Sequence, residues 1–304
     1  MTRLVFFGTP TEAVPALDAL SNGFDLGLVV TQPDRPRGRS RSPMPSAVKE
    51  SAVAMGVPVA QPSSTAELVD AIDRHGTFDL GIVVAYGRIL RPEVLHRPSH
   101  GILNIHFSLL PRWRGAAPVA RALMAGDNMT GVTVIVLDEG LDTGPVLTAQ
   151  AVDIHPAEHA GALTDRLAII GARLLVSVIP GYLAGDLLPL PQSDDGMTYA
   201  PKITAADRVL QGDDDPAVFL GRVRGLAPSP GALLEIDGEV HKVLAARAWG
   251  RPPSLGKWEA QEGIPVIGVG GAGVALTVLQ PSGRRPQRGE DWVRGRHRTK
   301  GVVG

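Results

Sequence analysis

Asn104 and His106 stand two residues apart at the end of Ile102-Leu103-Asn104-Ile105-His106, a short apolar run that reads as one strand. Residues i and i+2 of a strand share a face, so the amide and the imidazole project together while Ile105 faces the other way. Such a pair can donate to a developing oxyanion and move a proton near neutral pH. Asp138, Glu139 and Asp142 cluster around Gly140 and Gly144 after another apolar run. No histidine lies close to them in sequence and the spacing is not that of a calcium loop, so turn-forming acids are expected there. The chain has no cysteine, which removes thiolate nucleophiles, disulfides, Fe–S clusters and Cys-type zinc sites together.

The elements that must position these residues follow from pattern. Leu4–Phe7, Leu26–Thr31, Val57–Ala60, Leu80–Val84, Ile102–His106 and Thr133–Leu137 read as strands, several without alternation, as suits strands covered on both faces. Helical patterns at Glu12–Leu20, Ser46–Met55, Thr65–Arg74, Val119–Ala125 and His159–Leu183 separate them. Alternation of this kind predicts an α/β fold with a Rossmann-like, doubly wound, mostly parallel sheet. Asn104 and His106 then lie at a strand's C-terminal end, where open α/β sheets bind ligands.

Residues 184–205, broken by Gly185, Pro189, Pro191 and Gly196, read as a connector. A short helix follows, with Asp213–Asp215 at its start and Pro216 in its first turn. Beyond it, Leu233–Ile236 and Val240–Leu244 flank Asp237-Gly238, a hairpin signal, and Val266–Val269 with Val274–Leu279 make a second pair. A smaller OB-like β-barrel is the expectation. The expected division is a catalytic domain over 1–189, a linker over 190–204 and a β-barrel domain over 205–304.

With 304 residues, 44% of them hydrophobic and 20% charged, the chain can build packed cores and is not disordered. The N-terminal apolar run is too short for a signal peptide, and no apolar run reaches the length of a membrane span, so a soluble cytoplasmic protein is expected. The net charge of −1 hides an asymmetry. Residues 1–204 carry 16 basic and 20 acidic side chains, whereas 205–304 carry 14 and 11. The excess concentrates in Arg284, Arg285, Arg288, Arg294, Arg296, Arg298 and Lys300, which points to a polyanionic partner. A second basic feature, Gln32–Pro45, carries Arg35, Arg37, Arg39 and Arg41 with Asp34 its only acid. Placed after the second strand, it can bring arginines to phosphates at the strand ends.

Two glycine patterns are set aside. Gly268–Gly273 is followed by a strand pattern and not by a helix, so it reads as a hairpin turn rather than a phosphate loop. Phe7-Gly8-Thr9-Pro10 keeps one glycine of the dinucleotide fingerprint, which argues against a nicotinamide enzyme.

The segment after His106, Ser108-Leu109-Leu110-Pro111-Arg112-Trp113-Arg114-Gly115-Ala116-Ala117-Pro118, resembles the signature of the 10-formyltetrahydrofolate-dependent formyltransferases. Asp138-Glu139-Gly140-Leu141-Asp142-Thr143-Gly144 is similar to that family's second motif, and Phe6–Pro10, Thr31–Arg39, Val84–Gly87 and Thr198–Ile203 also fit it. The chain departs from the family at Phe107, where many relatives have a small residue. It departs again at Leu226–Pro230 and around Arg208-Val209-Leu210, where aromatic residues are missing.

The resemblance implies a transferase that moves formyl from 10-formyltetrahydrofolate to the α-amino group of methionine on initiator tRNA, without a metal. It implies Asn104, His106 and Asp142 as catalytic, with Asp142 orienting His106 or relaying a proton. Ser108, Leu109, Leu110 and Pro111 would face the folate, with Tyr86 and Gly87 nearby, and Arg35, Arg37, Arg39 and Arg41 would contact tRNA. The enzyme is expected to be a monomer. The competing readings are a formyltransferase acting on a small amine, a hydrolase of the formyl donor and a noncatalytic RNA-binding relative. The basic features weigh against the first two, and the intact Asn104, His106 and Asp142 against the last.

Overall fold

A computed structural model describes residues 1–36 and 42–304, and contacts divide the chain into two units. The first comprises Met1–Gly115, Thr130–Val152 and Thr164–Tyr199, the second Ala116–Met129, Asp153–Leu163 and Ala200–Gly304.

The chain begins with β1 (Arg3–Gly8), α1 (Val14–Ser21), β2 (Asp25–Val30), two short strands β3 (Arg35–Pro36) and β4 (Pro43–Met44), α2 (Ala47–Ala54), β5 (Val59–Ala60) and α3 (Thr65–Arg74). It continues through β6 (Leu80–Val84), α4 (Pro92–Leu95), β7 (Ile102–His106), α5 (Pro118–Met124), β8 (Met129–Val136), β9 (Val146–Asp153) and α6 (Ala160–Ala184). The sheet order is β5-β2-β1-β6-β7-β8-β9. The pairs from β5 to β7 are parallel and β8 runs antiparallel to β7. The chain builds outward from β1 in one direction, then returns and builds from β6 in the other. The C-terminal ends of β1 and β6 therefore flank a topological switch point.

Core residues follow strand alternation. Val5, Phe7, Leu28 and Val30 point to one side and join Leu68, Ile72, Phe78 and Tyr86 in a single cluster. Against the expectation of no apolar stretch of membrane-spanning length, α6 is long and apolar enough to pass that test. Its buried stripe, Leu163, Leu167, Ala168, Ala172, Leu175 and Ile179, recurs at helical spacing, and Gly171 approaches Ile105 and Val132 of the sheet. The hydropathy of α6 is that of a core helix.

In the second unit α7 (Pro216–Leu226) is capped by Asp215, whose carboxylate accepts from the N–H groups of Ala217 and Val218. Strands β10 (Ala232–Ile236), β11 (Glu239–Trp249), β12 (Lys257–Gln261), β13 (Ile264–Val269), β14 (Ala272–Pro281) and β15 (Gln287–Arg288) follow, then α8 (Gly289–Arg296) and β16 (Lys300–Val302). The antiparallel order is β10-β11-β14-β13-β12-β16, with β15 on β14. The sheet curls until its two edges meet, where Ile236 pairs with Val303. This is the small β-barrel-like unit expected. The Asp237-Gly238 hairpin and the Gly270-Gly271 turn occur as the sequence implied, both residues of each at positive φ.

The helix α5, read as part of the first fold, clusters with α7. Glycine allows that approach: a Cβ at Gly225 would stand 2.7 Å from the Ala120 carbonyl oxygen, and one at Gly221 2.9 Å from that of Met124.

Candidate active site

All five residues of β7 are buried, and Asn104 and His106 share one face of it. On β8, Thr133 pairs with His106 and fixes the turn beyond it. The Thr133 hydroxyl donates to the Ser108 carbonyl at 2.7 Å and accepts from the Leu110 N–H at 3.1 Å. The chain then passes through a cis Leu110–Pro111 bond to Trp113, whose φ of 65° is left-handed.

This loop returns two main-chain groups to the strand end. His106 Nε2 lies 2.8 Å from the Trp113 carbonyl oxygen, and the Gly115 N–H donates to Asp142 Oδ2 at 2.8 Å. A carbonyl only accepts, so Nε2 carries a hydrogen and Nδ1 is the nitrogen left for chemistry. Nδ1 faces Asp142 Oδ2 across 3.6 Å, with both side chains largely buried. That separation is longer than a hydrogen bond. Among the described residues no side-chain hydrogen bond engages the Asn104 amide, and Asn104 is 7% exposed. An amide that is held on a strand end with no protein partner is a donor open to a ligand. The structure thus brings together the three expected catalytic residues, two from one strand and one from the turn after β8.

The Asp142 turn is built by its neighbours. Asp138 accepts from the Gly140 N–H and from the Thr143 hydroxyl, the turn-forming role expected of it. Among the described residues no group of acids and histidines is arranged to hold a metal. Asp142 has a left-handed φ of 54°. Gln192 Nε2 donates to the carbonyls of Asp142 and Gly144 at 2.8 and 2.7 Å. Sequence reasoning missed Gln192, and placed it in the connector. Residues 190–199 instead pair along the site: Leu190 with Val146, Tyr199 with Arg114, and the Thr198 hydroxyl with the Trp113 N–H.

The folate-side residues separate into two groups. Ser108 is fully buried and its hydroxyl donates to the Arg112 carbonyl at 2.6 Å. The hydroxyl of Ser108 thus braces the loop that it forms with Leu109, Leu110 and Pro111. Tyr86 and Gly87 line a cleft of about 630 Å³ at the switch point, together with Thr9, Gln32, Arg35 and Arg88. The Tyr86 ring packs edge-on against Phe7, and burial pushes its phenol above the ordinary range.

The basic segment after β2 has a framework that its composition did not suggest. Its legs pair as β3 and β4, Arg35 opposite Met44 and Pro36 opposite Pro43. At the base, the Thr31 and Ser46 hydroxyls bond at 2.7 Å. Lys49 Nζ bridges Asp34 Oδ2 and Gln61 Oε1 at 2.6 and 2.7 Å. The Lys49 ammonium and Gln61 amide hold the Asp34 carboxyl below the usual carboxylate range. Arg35 is exposed on β3, whereas Arg37, Arg39 and Arg41 lie outside the described residues.

The basic tail is not uniform either. Arg294 pairs with Asp291, and Arg296 reaches Asp237, Glu239 and His241 while stacking on Trp292. Arg296 is thereby corrected to a structural residue. Arg284, Arg285, Arg288 and Arg298 are exposed, with no ion pair among the described residues.

Known proteins resemble this chain over nearly its whole length. Residues 2–179 match the formyl transferase family model, and residues 202–297 match the model of the formyl transferase C-terminal domain. A methionyl-tRNA formyltransferase of Halorhodospira halophila is 48% identical over 98% of this chain and 98% of its own length. One from Bacillus subtilis is 37% identical over 100% of this chain and 98% of its own. Among solved structures, the sugar 3-N-formyltransferase WlaRD aligns with a TM-score of 0.70 at 16% identity, over 94% of this chain and 99% of that one. HypX of Aquifex aeolicus, solved with tetrahydrofolic acid, aligns at 0.65 and 17% over 96% of this chain, which spans 47% of that protein. At these identities the two structures bear on the fold alone.

Proposed function

Because the chain belongs to the formyl transferase family, matched end to end by methionyl-tRNA formyltransferases, we infer that it formylates the α-amino group of methionyl initiator tRNA with 10-formyltetrahydrofolate as donor. The observation that carries the chemistry is the corner at the end of β7. There, an unengaged Asn104 amide lies on the same face as an imidazole whose free nitrogen looks at a carboxylate 3.6 Å away.

The reacting nucleophile is the amine of the substrate, so the protein needs no nucleophile of its own, in keeping with a chain without cysteine. The donor supplies the formyl carbon and the nitrogen that leaves. As the new C–N bond forms, negative charge gathers on the formyl oxygen, and the Asn104 amide donates to it. His106 Nδ1 and Asp142 handle the proton that the amine must lose and that ends on the leaving nitrogen. Trp113, by accepting from Nε2, fixes which ring nitrogen faces the reaction. Tyr86, Gly87 and the loop of Leu109, Leu110 and Pro111, braced by Ser108, form the donor side. The cleft volume of about 630 Å³ suits a ligand of folate size.

On the acceptor side, Arg35, Arg37, Arg39 and Arg41 contact tRNA phosphates from an arm whose legs are tied to β2, α2 and β5. Residues 205–304 act as a tRNA-binding domain through Arg284, Arg285, Arg288 and Arg298, and the catalytic part extends past residue 189 to take in Gln192 and Thr198. The enzyme works as a monomer in the cytoplasm, away from membranes. Formylation of methionyl-tRNA, run with and without 10-formyltetrahydrofolate and against a small amine acceptor, tests this reading. Donor-dependent product on tRNA is expected. Product on the small amine alone would move the enzyme to that substrate class.

A further inference from the structure

Arg114 and Gln192 have no part in the steps above, yet both reach the turn that carries Asp142. Arg114 is 5% exposed. Its Nε and Nη2 both donate to Gln192 Oε1, at 3.0 and 2.8 Å, and Nη1 donates to Met197 Sδ. The two bonds from a rigid guanidinium converge on this one oxygen and fix where it sits. With its oxygen held in this way, Gln192 must turn Nε2 to the opposite side. There it meets the carbonyls of Asp142 and Gly144.

Those carbonyls bracket Thr143, and the first belongs to a residue in a left-handed conformation that L side chains rarely adopt. The carboxylate of the same residue is held by the Gly115 N–H, adjacent to Arg114. Asp142 is therefore gripped at two points: its side chain through Gly115, and its main chain through Gln192 and Arg114. A buried arginine with a neutral amide for a partner is a costly choice for packing alone. It is an effective one for locking an amide in a single orientation.

We propose that Gln192, oriented by Arg114, is a positioning residue for the transfer reaction: it holds the main chain at Asp142 so that the carboxylate stays opposite His106 Nδ1. This rests on the catalytic roles given above to Asp142 and His106.

The test is a cycle of Gln192→Ala, Asp142→Asn and the double variant, assayed on methionyl-tRNA and 10-formyltetrahydrofolate. Gln192→Ala is expected to lower kcat by about tenfold or more, with KM for both substrates within about twofold, and to displace the pH–rate profile. In the Asp142→Asn background the same change is expected to cost nothing further, because there is no carboxylate left to aim. Gln192→Glu, which keeps the shape but turns an oxygen toward two carbonyls, should behave like the alanine variant.

Losses that add fully in the double variant would overturn the proposal, as would a raised KM at parental kcat. If Asp142→Asn itself keeps the parental kcat, the role of Asp142 fails and the proposal falls with it. If Asp142→Asn is impaired while Gln192→Ala is not, the proposal alone fails. Should Gln192→Ala not fold, Arg114→Lys, which removes the paired bonds to Oε1 while keeping the charge, is judged by the same criteria.

Discussion

His106 is 5% exposed and His241 1%. Each has one ring nitrogen on a main-chain carbonyl, Nε2 of His106 on Trp113 and Nδ1 of His241 on Glu239, both at 2.8 Å. Each has a carboxylate close to the other nitrogen: Asp142 3.6 Å from His106 Nδ1, Glu239 4.0 Å from His241 Nε2. The difference lies in what else meets that nitrogen. His241 Nε2 accepts from Trp292 Nε1 at 3.0 Å and faces Arg296 Nη2 at 3.2 Å. Neither indole nor guanidinium can accept a hydrogen bond, so a second proton on His241 would meet two donors closer to it than the Glu239 carboxylate. Burial pushes its pKa down, and the Arg296 charge adds to this. The hydrogen bond to the Glu239 carbonyl and the charges of Glu239 and Asp237 oppose it. His106 Nδ1 looks at a pure acceptor. Burial alone does not decide whether an imidazole carries protons or braces a fold; the partner of its second nitrogen does.

The largest expected effect separates the two histidines by function. His106→Gln should lower kcat by at least about 100-fold, since losing one group that stabilises developing charge costs about 2.7–4 kcal/mol. His241→Gln should leave kcat within about twofold. Steady-state kinetics on methionyl-tRNA checks both, and equal losses would erase the distinction.

A smaller effect concerns acid stability. Because the folded state depresses the His241 pKa below its ordinary 6.5, the unfolded chain takes up the proton first. The stability His241 contributes is complete above about pH 6.5 and drains away as pH falls below it, by no more than about 1.4 kcal/mol per pH unit. Denaturant unfolding between pH 5 and 7, followed by tryptophan fluorescence, should show this slope in the parent and a flatter one in His241→Gln. Identical slopes would assign the acid sensitivity to other groups.

Least of all should change in Glu239→Gln. The Glu239 side chain is 66% exposed and its bridge to Arg296 faces solvent, so its removal should cost under about 1 kcal/mol at pH 7. A larger loss in the same unfolding measurement would mean that this acid, and not the two N–H donors, governs the His241 corner.

The sequence shows the catalytic trio because side-chain identity and the two-residue strand period both carry it. The rest of the corner is invisible there. Trp113 and Gly115 act through main-chain groups, which any residue possesses, and Gln192 acts from 50 positions beyond Asp142 through a contact with no periodic signature. Strand β9 escapes a pattern reading because only Leu147 and Val152 of its eight residues are buried. Helix α8 escapes it because Gly289 and Trp292 alone are buried among eight. Charge counting grouped Arg296 with a basic tail, since composition cannot distinguish a solvated arginine from one stacked on an indole between two acids. The parallel sheet was legible because its strands are continuous apolar runs, and the curled β unit because Asp237-Gly238 and Gly270-Gly271 mark two of its turns.

The packing of α5 on α7 has a consequence in time. About 90 residues separate the two helices in the chain, and α5 emerges first. At roughly 5–20 residues per second of synthesis, the side of α5 that carries Ala120 and Met124 must wait several seconds for the glycine-notched helix that packs on it. During that interval this side of α5 lacks the helix that packs on it in the folded chain. A growing chain stalled just after residue 200 should be held by apolar-binding chaperones at this helix, and one released beyond α7 should be let go.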